Sequence, residues 1–176
     1  MKTVNCKMYL DETTNILAEL PEDITDDIIS WGYDNILFDH LYENMGREHF
    51  IHLTVLPEVK KKCFQKIKEA IIGESKFKCI FGDISIFSTN SKFDVVKIDI
   101  INDEVKKLNK ILASYLESNS FYSYYCPHVT IAYVKKGCGK FYNGNKYFSK
   151  KFFEIDELTY SDLNELNQKI KLGNFL

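Results

Sequence analysis

Apolar residues follow two regular spacings along this chain, and these spacings predict its elements. Between Phe77 and Phe87, and again between Phe93 and Ile101, strand-forming residues flank a polar segment of turn formers. The second run alternates polar and apolar positions, which is typical of one strand of a half-buried β-hairpin. Further apolar runs predict strands at Thr3–Leu10, at His49–Leu56 up to Pro57, at His128–Val134, at Phe152–Tyr160 and at Gln168–Leu172.

Helical spacing marks other segments. Lys60–Ile72 and Asp103–Glu117 carry apolar residues three and four positions apart, which predicts two amphipathic helices. Thr13–Leu20 and Pro21–Trp31 are predicted as helix or loop, with capping residues near the start of the second segment. An aromatic loop is predicted at Phe121–Tyr125. This order of elements predicts an α+β fold with an antiparallel sheet rather than a series of βαβ units.

Composition narrows the class of protein. Of the 176 residues, 45% are apolar and 14% are aromatic, which is typical of a folded globular chain. Because no linker-like segment interrupts the sequence, residues 1–176 are expected to form a single domain. No apolar run approaches the roughly 18 residues of a membrane-spanning helix, and the N-terminus lacks a secretory signal pattern. Neither membrane insertion nor export is therefore expected.

The net charge of −2 and the isoelectric point of about 6.1 bear on the partners. A protein that binds long nucleic acid usually carries a basic stripe that displaces counterions from the phosphates. The overall charge balance argues against such a stripe and favours a small substrate, namely a nucleotide or a short oligonucleotide. The sequence carries no signal for a protein partner.

Five cysteines are spread along the chain without a Cys-x-x-Cys pair. An odd number at wide spacing favours free thiols in a reducing compartment, so a cytoplasmic location is expected. The sequence also lacks a His-Glu-x-x-His motif, a paired carboxylate motif and the spacing of a phosphate-binding P-loop. We therefore expect neither a metal ion nor another cofactor.

Two of the four histidines stand in matching tetrapeptides, His-Leu-Thr-Val at 52–55 and His-Val-Thr-Ile at 128–131. Strand side chains alternate between faces, so each histidine shares a face with its threonine while the apolar residues pack into the core. The remaining histidines, His40 and His49, lack a threonine or serine two residues further on. If the two strands face one another, two imidazoles and two hydroxyls meet in one place.

Such a group of side chains can cleave a phosphodiester without a metal. A neutral imidazole takes a proton from the attacking water or ribose 2′-hydroxyl, and an imidazolium donates a proton to the leaving oxygen. Threonine hydroxyls donate hydrogen bonds to the non-bridging oxygens, where charge builds up in the transition state. His52, Thr54, His128 and Thr130 are therefore the candidate catalytic residues, and either histidine suits either role. The alternative is that each histidine is only a strand residue hydrogen-bonded near the surface.

The two motifs and the apolar residues around them resemble the signature of the 2H phosphoesterase superfamily. This superfamily includes bacterial 2′-5′ RNA ligase-like proteins and cyclic nucleotide phosphodiesterases. The segments Phe50–Leu56 and Pro127–Val134 carry the resemblance, and the order of the predicted elements extends it over nearly the whole chain. The Gly-Arg-Glu triplet at 46–48 and the proline before the second motif are similar to phage-borne members.

The resemblance implies a bilobed α+β fold. Two antiparallel β-sheets with pseudo-two-fold symmetry would surround a central cleft, with the helices on the outside. The resemblance also implies that the four motif residues, His52, Thr54, His128 and Thr130, line the cleft and are catalytic. Substrate choice does not carry over, because members of the superfamily diverge outside the motifs.

For function, the resemblance implies a metal-independent phosphodiesterase that hydrolyses a cyclic nucleotide or a cyclic or short oligonucleotide. Some phage members degrade the cyclic nucleotides of bacterial immune signalling, and such a protein would act in the cytoplasm of the host cell. One alternative is an enzyme for RNA ends, a 2′,3′-cyclic phosphate phosphodiesterase or a 2′-5′ RNA ligase-like protein. Another alternative is a module that binds and sequesters nucleotides without cleaving them.

Five further residues are candidates for substrate contact, each with a structural alternative. Phe50 shares the face of the first motif histidine and is placed to stack on a base; the alternative is a hydrophobic wall. Tyr9 and Trp31 are candidate base platforms, or else core residues. Lys136 and Arg47 are candidate phosphate contacts, and the alternatives are a solvated loop lysine and a surface salt bridge.

Two residues of the second motif strand are weaker candidates. Cys126 shares the predicted face of His128, but the sequence shows no third group that would orient a thiol nucleophile. Tyr133 falls on the opposite side of the same strand, which is predicted to face the core. Neither residue is therefore included in the predicted site.

Overall fold

The described part of the chain combines helices with a large antiparallel sheet. The computed structural model describes residues 13–60, 63–118, 124–162 and 165–173. In chain order the elements are β1 (Thr13–Glu19), α1 (Glu22–Asn35), β2 (His52–Lys60), α2 (Phe64–Ala70), β3 (Phe77–Phe87), β4 (Phe93–Ile100), α3 (Glu104–Tyr115), β5 (His128–Lys135), β6 (Phe152–Ile155), β7 (Glu157–Asp162) and β8 (Glu165–Lys171). Short 3-10 turns lie at Phe38–His40 and Gly139–Phe141. Over these ranges, no helix has the length and apolar character needed to cross a bilayer.

The strands form one curled sheet in the order β6-β3-β4-β5-β2-β1-β7-β8, and neighbouring strands are antiparallel. This confirms the predicted α+β class with an antiparallel sheet. The two expected sheets correspond to the two halves of this one sheet, which join where β5 meets β2. The expected pseudo-two-fold symmetry between the halves stays a prediction.

The joint between the two halves is narrow. β2 and β5 pair in register through Leu53 and Val129. Beyond that point β5 continues against residues 41–48, which precede β2 in the chain, and β2 ends against residues 117–118, which precede β5. The two strands that carry the histidine motifs therefore contact each other at those motifs and then diverge.

Helices cover one face of these central strands. Alternation turns Leu53 and Val55 of β2 and Ile131 of β5 toward this face, where each is at most 2% exposed. α1 lies close to β5, because a Cβ atom added at Gly32 would be 3.2 Å from the Cγ2 atom of Ile131. α3 is tied to β2 by the side-chain amide of Asn109, which donates to the Val55 carbonyl (2.7 Å). The polar residues of both motifs are left on the opposite face.

The prediction of helix or loop for Thr13–Leu20 is wrong. Thr13–Glu19 forms β1, which hydrogen-bonds to β2 on one side and to β7 on the other. Ile16, Leu17 and Ala18 are consecutive and all buried, so the run lacks the alternation of a half-buried strand. The predicted strand Thr3–Leu10 lies outside the described residues.

The prediction that Pro57 ends the first motif strand is also wrong. β2 continues to Lys60, and the proline lies at a bulge between two register pairs of β1 and β2. A proline at a bulge is tolerated because the ladder does not need its missing N–H. α2 consequently starts only at Phe64, later than the predicted helix. The predicted β3–β4 hairpin and the helix near residues 103–117 are confirmed.

Candidate active site

The two histidine motifs lie side by side at the joint of the sheet. Because β2 and β5 are antiparallel and pair through the apolar residues at the centre of the motifs, His52 lies beside Thr130 and Thr54 lies beside His128. All four side chains are partly exposed and lie on the face opposite the core. The two imidazoles are close enough that charge on His52 lowers the pKa of His128. The structure thus brings together the four residues that the sequence singled out.

Both imidazoles are held in the same way by the main chain. Nδ1 of His52 donates to the carbonyl of Phe50 (2.6 Å), and Nδ1 of His128 donates to the carbonyl of Cys126 (2.7 Å). A carbonyl oxygen only accepts, so Nδ1 carries the hydrogen in both rings. Nε2 is therefore the nitrogen of each ring that can exchange a proton with a substrate.

His128 lies in an enclosed setting. The ring of Phe87 on β3 packs edge-on against it, with the ring centroids 4.9 Å apart. Burial lowers the pKa of His128 below its ordinary value, and the positive charges of Lys97 and His52 act in the same direction. The hydrogen bond to the main chain and the carboxylate of Asp99 oppose this shift. The net effect favours a neutral His128 imidazole near pH 7.

His52 has an aromatic neighbour of a different kind. Its ring stacks on that of Phe50, with centroids 5.0 Å apart and an angle of 30° between the planes. Phe50 is 47% exposed, so part of its ring faces solvent. The structure therefore places Phe50 next to a motif histidine, as alternation along the strand predicts.

Three polar residues of the β3–β4 hairpin extend the site beyond β5. Register pairing sets Asp99 opposite His128 and Lys97 opposite Thr130. The Nζ atom of Lys97 donates to the Ser85 hydroxyl (2.6 Å) and forms an ion pair with Asp99. No motif in the sequence singles out these residues. The alternation of polar and apolar residues in β4 indicates that these side chains share a polar face, but it does not show that β5 is the neighbouring strand.

A carboxylate also adjoins His52, on the other side of the joint. Glu19 of β1 is in register with His52. It accepts a hydrogen bond from the Thr159 hydroxyl (2.8 Å) and forms an ion pair with Lys169 (3.3 Å). Sequence reasoning missed Glu19 because the segment that contains it was predicted as helix or loop. Each motif histidine therefore has an acidic residue opposite it on the next strand outward.

Trp31 does not lie in the site. It is 5% exposed and packs edge-on against Phe148 in the core, with ring centroids 6.1 Å apart. The role of base platform is therefore wrong, and the alternative of core packing is correct. Tyr9, the other candidate platform, lies outside the described residues.

Arg47 contacts main-chain carbonyls rather than a carboxylate of the described residues, and its role as a phosphate contact stays a prediction. Its Nε donates to the carbonyl of Gly32 (3.0 Å) and its Nη2 donates to the carbonyl of Ile36 (2.6 Å). Its guanidinium carbon also lies 4.6 Å from the ring centroid of Tyr33. These carbonyls belong to the C-terminal end of α1, where a cation satisfies main-chain acceptors and the helix dipole. Arg47 therefore stabilises a helix end.

Lys136 also has a partner within the protein. It forms an ion pair with Asp94 (3.1 Å), a carboxylate that is 1% exposed. Burial alone would raise the pKa of Asp94, but hydrogen bonds from Ser88 and Lys136 outweigh it and hold that pKa below its ordinary value. Lys136 is thus an exposed turn lysine, 42% of its side chain exposed, that pairs with a buried charge, and its role as a phosphate contact stays a prediction.

Two further observations complete the site. Cys126 is exposed, and it meets His128 through its main-chain carbonyl. Within the described ranges, no group of three or more His, Cys, Asp and Glu side chains is arranged to hold a metal ion.

No protein-family model and no curated protein matches the chain. Solved structures, however, are similar to it over nearly its whole length. TT0787 of Thermus thermophilus has a TM-score of 0.63 at 14% identity, covering 91% of this chain and 97% of that one. Kluyveromyces marxianus Usb1 has a TM-score of 0.62 at 10% identity, covering 94% of this chain and 100% of Usb1. E. coli LigT has a TM-score of 0.61 at 15% identity, covering 92% of this chain and 94% of LigT.

Further similar structures of two of these proteins contain ligands. LigT is known in complex with phosphate and with 3′-AMP, and Usb1 with uridine monophosphate. A structure described as a phosphoesterase is similar as well, with a TM-score of 0.55 at 18% identity, covering 92% of this chain and 95% of that one. At these identities the likeness concerns the fold. The chain therefore has the fold of the 2H phosphoesterases, as its two histidine motifs predict.

Proposed function

We propose that this protein is a metal-independent phosphodiesterase that hydrolyses a cyclic nucleotide or a short oligonucleotide by means of two histidines. The matched orientation of the imidazoles carries the proposal, since Nδ1 of His52 (2.6 Å) and of His128 (2.7 Å) each donate to the carbonyl two residues earlier. With Nδ1 committed, both Nε2 atoms are left for proton exchange on one face of the sheet. A protein that only binds nucleotides does not require two imidazoles held in the same tautomer.

The reaction uses the four motif residues. One imidazole takes a proton from water or from a ribose 2′-hydroxyl, and that oxygen attacks the phosphorus. The bond between phosphorus and the leaving oxygen breaks, and the other imidazole passes its proton to the leaving oxygen. Thr54 and Thr130 donate hydrogen bonds to the non-bridging oxygens, where negative charge increases. Proton exchange with water then restores both imidazoles.

We assign the role of base to His128 and the role of acid to His52. Burial, together with the charge of Lys97, lowers the pKa of His128. A neutral imidazole with a lone pair on Nε2 is therefore its resting form near neutral pH, which is the form that a base requires. His52, across the joint from it, then supplies the proton for the leaving oxygen.

A nucleotide suits the surroundings of the two histidines. The partly exposed ring of Phe50 beside His52 offers a flat surface, and a base stacked on such a ring gains about 1–3 kcal/mol. Structures similar to this chain hold 3′-AMP in LigT and uridine monophosphate in Usb1. The net charge of −2 favours a short substrate over long nucleic acid.

A second candidate is cleavage at an RNA end, on a 2′,3′-cyclic phosphate or a 2′-5′ linkage. The 3′-AMP in a LigT structure favours it, because opening a 2′,3′-cyclic phosphate at the 2′-oxygen leaves a 3′-phosphate. Both candidates use the same two histidines and differ only in the substrate. Degradation of cyclic immune signals by a phage protein is a more specific form of the first candidate.

Cleavage assays in the presence of EDTA separate these candidates. The protein is incubated with cyclic dinucleotides, with cyclic trinucleotides and with RNA that ends in a 2′,3′-cyclic phosphate, and the products are resolved by chromatography. We expect turnover of a cyclic nucleotide, and a loss of about 10² to 10⁴ in rate for His52→Ala and for His128→Ala. His49→Ala changes a histidine outside the motifs and serves as the matched control, with the wild-type rate.

Other outcomes contradict the proposal in distinct ways. Turnover of the RNA end alone would favour the second candidate. Stoichiometric binding of a nucleotide without turnover would rule out both enzymatic candidates. Loss of activity in EDTA would contradict the metal-independent reaction.

A further inference from the structure

Lys97 is a lysine in an unusual place. The residue is 4% exposed, although it lies on the polar face of β4. Lysine is almost never fully buried unless its charge is paired. Here Nζ donates to the Ser85 hydroxyl (2.6 Å), forms an ion pair with Asp99 and lies 4.2 Å from the centroid of the Phe87 ring. The ammonium is therefore held by three neighbours.

This buried ion pair adjoins His128. The register of β4 and β5 sets Asp99 opposite His128 and Lys97 opposite Thr130. The Phe87 ring beneath the ammonium also packs edge-on against the imidazole, with centroids 4.9 Å apart. Two opposite charges and one aromatic ring thus flank His128 on the side away from the joint.

We propose that Lys97 and Asp99 form a charge pair that positions His128 and sets how readily its imidazole takes up a proton. The proposal deepens the proposed function and rests on it only for the effect on catalysis. Among the residues that the structure describes, the groups that face His128 are His52 from β2, Lys97 and Asp99 from β4, and the uncharged ring of Phe87 from β3.

The two charges of the pair act on His128 in opposite directions. Asp99 stabilises the imidazolium and raises the pKa of His128, whereas Lys97 disfavours the imidazolium and lowers that pKa. Burial is the main cause that keeps the ring neutral at rest, and the two opposing charges of the pair adjust how readily it accepts a proton during the reaction. Both residues act through His128, which makes them positioning residues.

Among the described residues, His52 has no equivalent buried cation. Its neighbour Glu19 is paired with Lys169, but the side chain of Lys169 is 52% exposed and is shared with Glu157. A solvated charge of this kind is screened by water and salt, unlike the buried ammonium of Lys97. The two motif histidines share the same main-chain geometry, and the buried lysine makes their surroundings unequal.

NMR titration of the histidine side chains in the full chain tests the proposal without any substrate. In Lys97→Met the titration midpoint of His128 is expected to rise by about one pH unit, because Asp99 is left without its counter-charge. In Asp99→Asn the midpoint is expected to fall by a similar amount. The double variant is expected to return it toward the wild-type value. Lys169→Met removes a lysine from the far side of the same face, and it should leave the titration midpoint of His128 unchanged.

The experiment does not depend on every variant folding. Asp99→Asn leaves a buried ammonium with one fewer partner and is the variant most at risk of unfolding. Lys97→Gln keeps a hydrogen-bond donor at that position and is expected to raise the His128 midpoint as Lys97→Met does. If neither Lys97 variant raises the midpoint, the charge pair does not act on His128 and the proposal is wrong.

Kinetics then separate this proposal from the proposed function. If His128 is the base, the acid limb of kcat/KM against pH moves upward in Lys97→Met by as much as the NMR midpoint. If the NMR midpoint moves and the acid limb does not, the charge pair stands and the assignment of His128 as base fails. If both stay at their wild-type positions, the charge pair itself is refuted.

Discussion

Replacement of Leu53 by alanine tests whether the narrow joint of the sheet aligns the two imidazoles. Leu53 is fully buried. It lies opposite Val129, and these two residues form the register pair that joins β2 to β5. Removing three buried carbons costs about 2.4 kcal/mol at ~0.8 kcal/mol each. The cavity left behind brings the expected loss in the free energy of unfolding to about 2–5 kcal/mol.

The expected loss of activity exceeds what the loss of stability explains. Within the folded protein, the cavity lets β2 shift against β5, and a misplacement of about 1 Å between reacting groups costs on the order of 10² in rate. We therefore expect kcat/KM to fall about 10- to 100-fold in Leu53→Ala. The measurement is made on the substrate found in the cleavage assays, at a temperature where urea titrations show the variant to be folded.

Val55→Ala is the matched control for this prediction. Val55 is fully buried on the same face of the same strand, one alternation further from the joint. Its replacement removes two buried carbons, at a cost of about 1.6 kcal/mol before any cavity term. Folded Val55→Ala should keep nearly the wild-type kcat/KM. The reasoning is refuted if folded Leu53→Ala keeps the wild-type kcat/KM, or if both variants lose it equally.

Four further predictions concern the motif residues and Phe50. Thr54→Ala and Thr130→Ala should each lower kcat by about 10- to 10³-fold, whereas the serine variants, which keep a hydroxyl, should retain most of it. Because the pKa of His128 lies below its ordinary value of 6.5, the acid limb of kcat/KM should lie below pH 6.5, and a limb above that value would contradict the assignment of the base. Because the pKa of His128 is lower in the folded chain, the unfolded chain binds more protons between that pKa and pH 6.5. The midpoint of urea unfolding should therefore fall as the pH drops through this range. His128→Gln should lose this part of the pH dependence. Phe50→Ala should raise KM for a nucleotide by the equivalent of about 1–3 kcal/mol and leave the cleavage of a base-free dialkyl phosphodiester unchanged.

Local patterns predicted the elements whose partners are close in sequence. The β3–β4 hairpin and the strands of both motifs follow from alternation over a few residues, and alternation also placed His52, Thr54, His128 and Thr130 opposite the core. β1 was missed because a strand with neighbours on both sides buries consecutive residues, a pattern that a helix shares.

The rest of the site depends on pairings distant in sequence. Lys97 and Asp99 become neighbours of His128 only through the register of β4 with β5, and the sequence does not show that register. From the sequence alone, Arg47 is predicted as a phosphate contact or as part of a surface salt bridge. Only the placement of α1 behind the sheet shows that it meets two carbonyls at the end of that helix. Such side chains are assigned correctly only when the tertiary neighbours are known.

The hydrogen bonds that orient the two imidazoles end on main-chain carbonyls, at positions 50 and 126. Any amino acid supplies such a carbonyl, so the ring orientation places no demand on the identity of either side chain. The side chains at these positions can therefore change, in evolution or by engineering, without altering the proton-transfer geometry. Libraries randomised at positions 50 and 126 are accordingly the natural starting point for redirecting this fold toward new phosphodiesters.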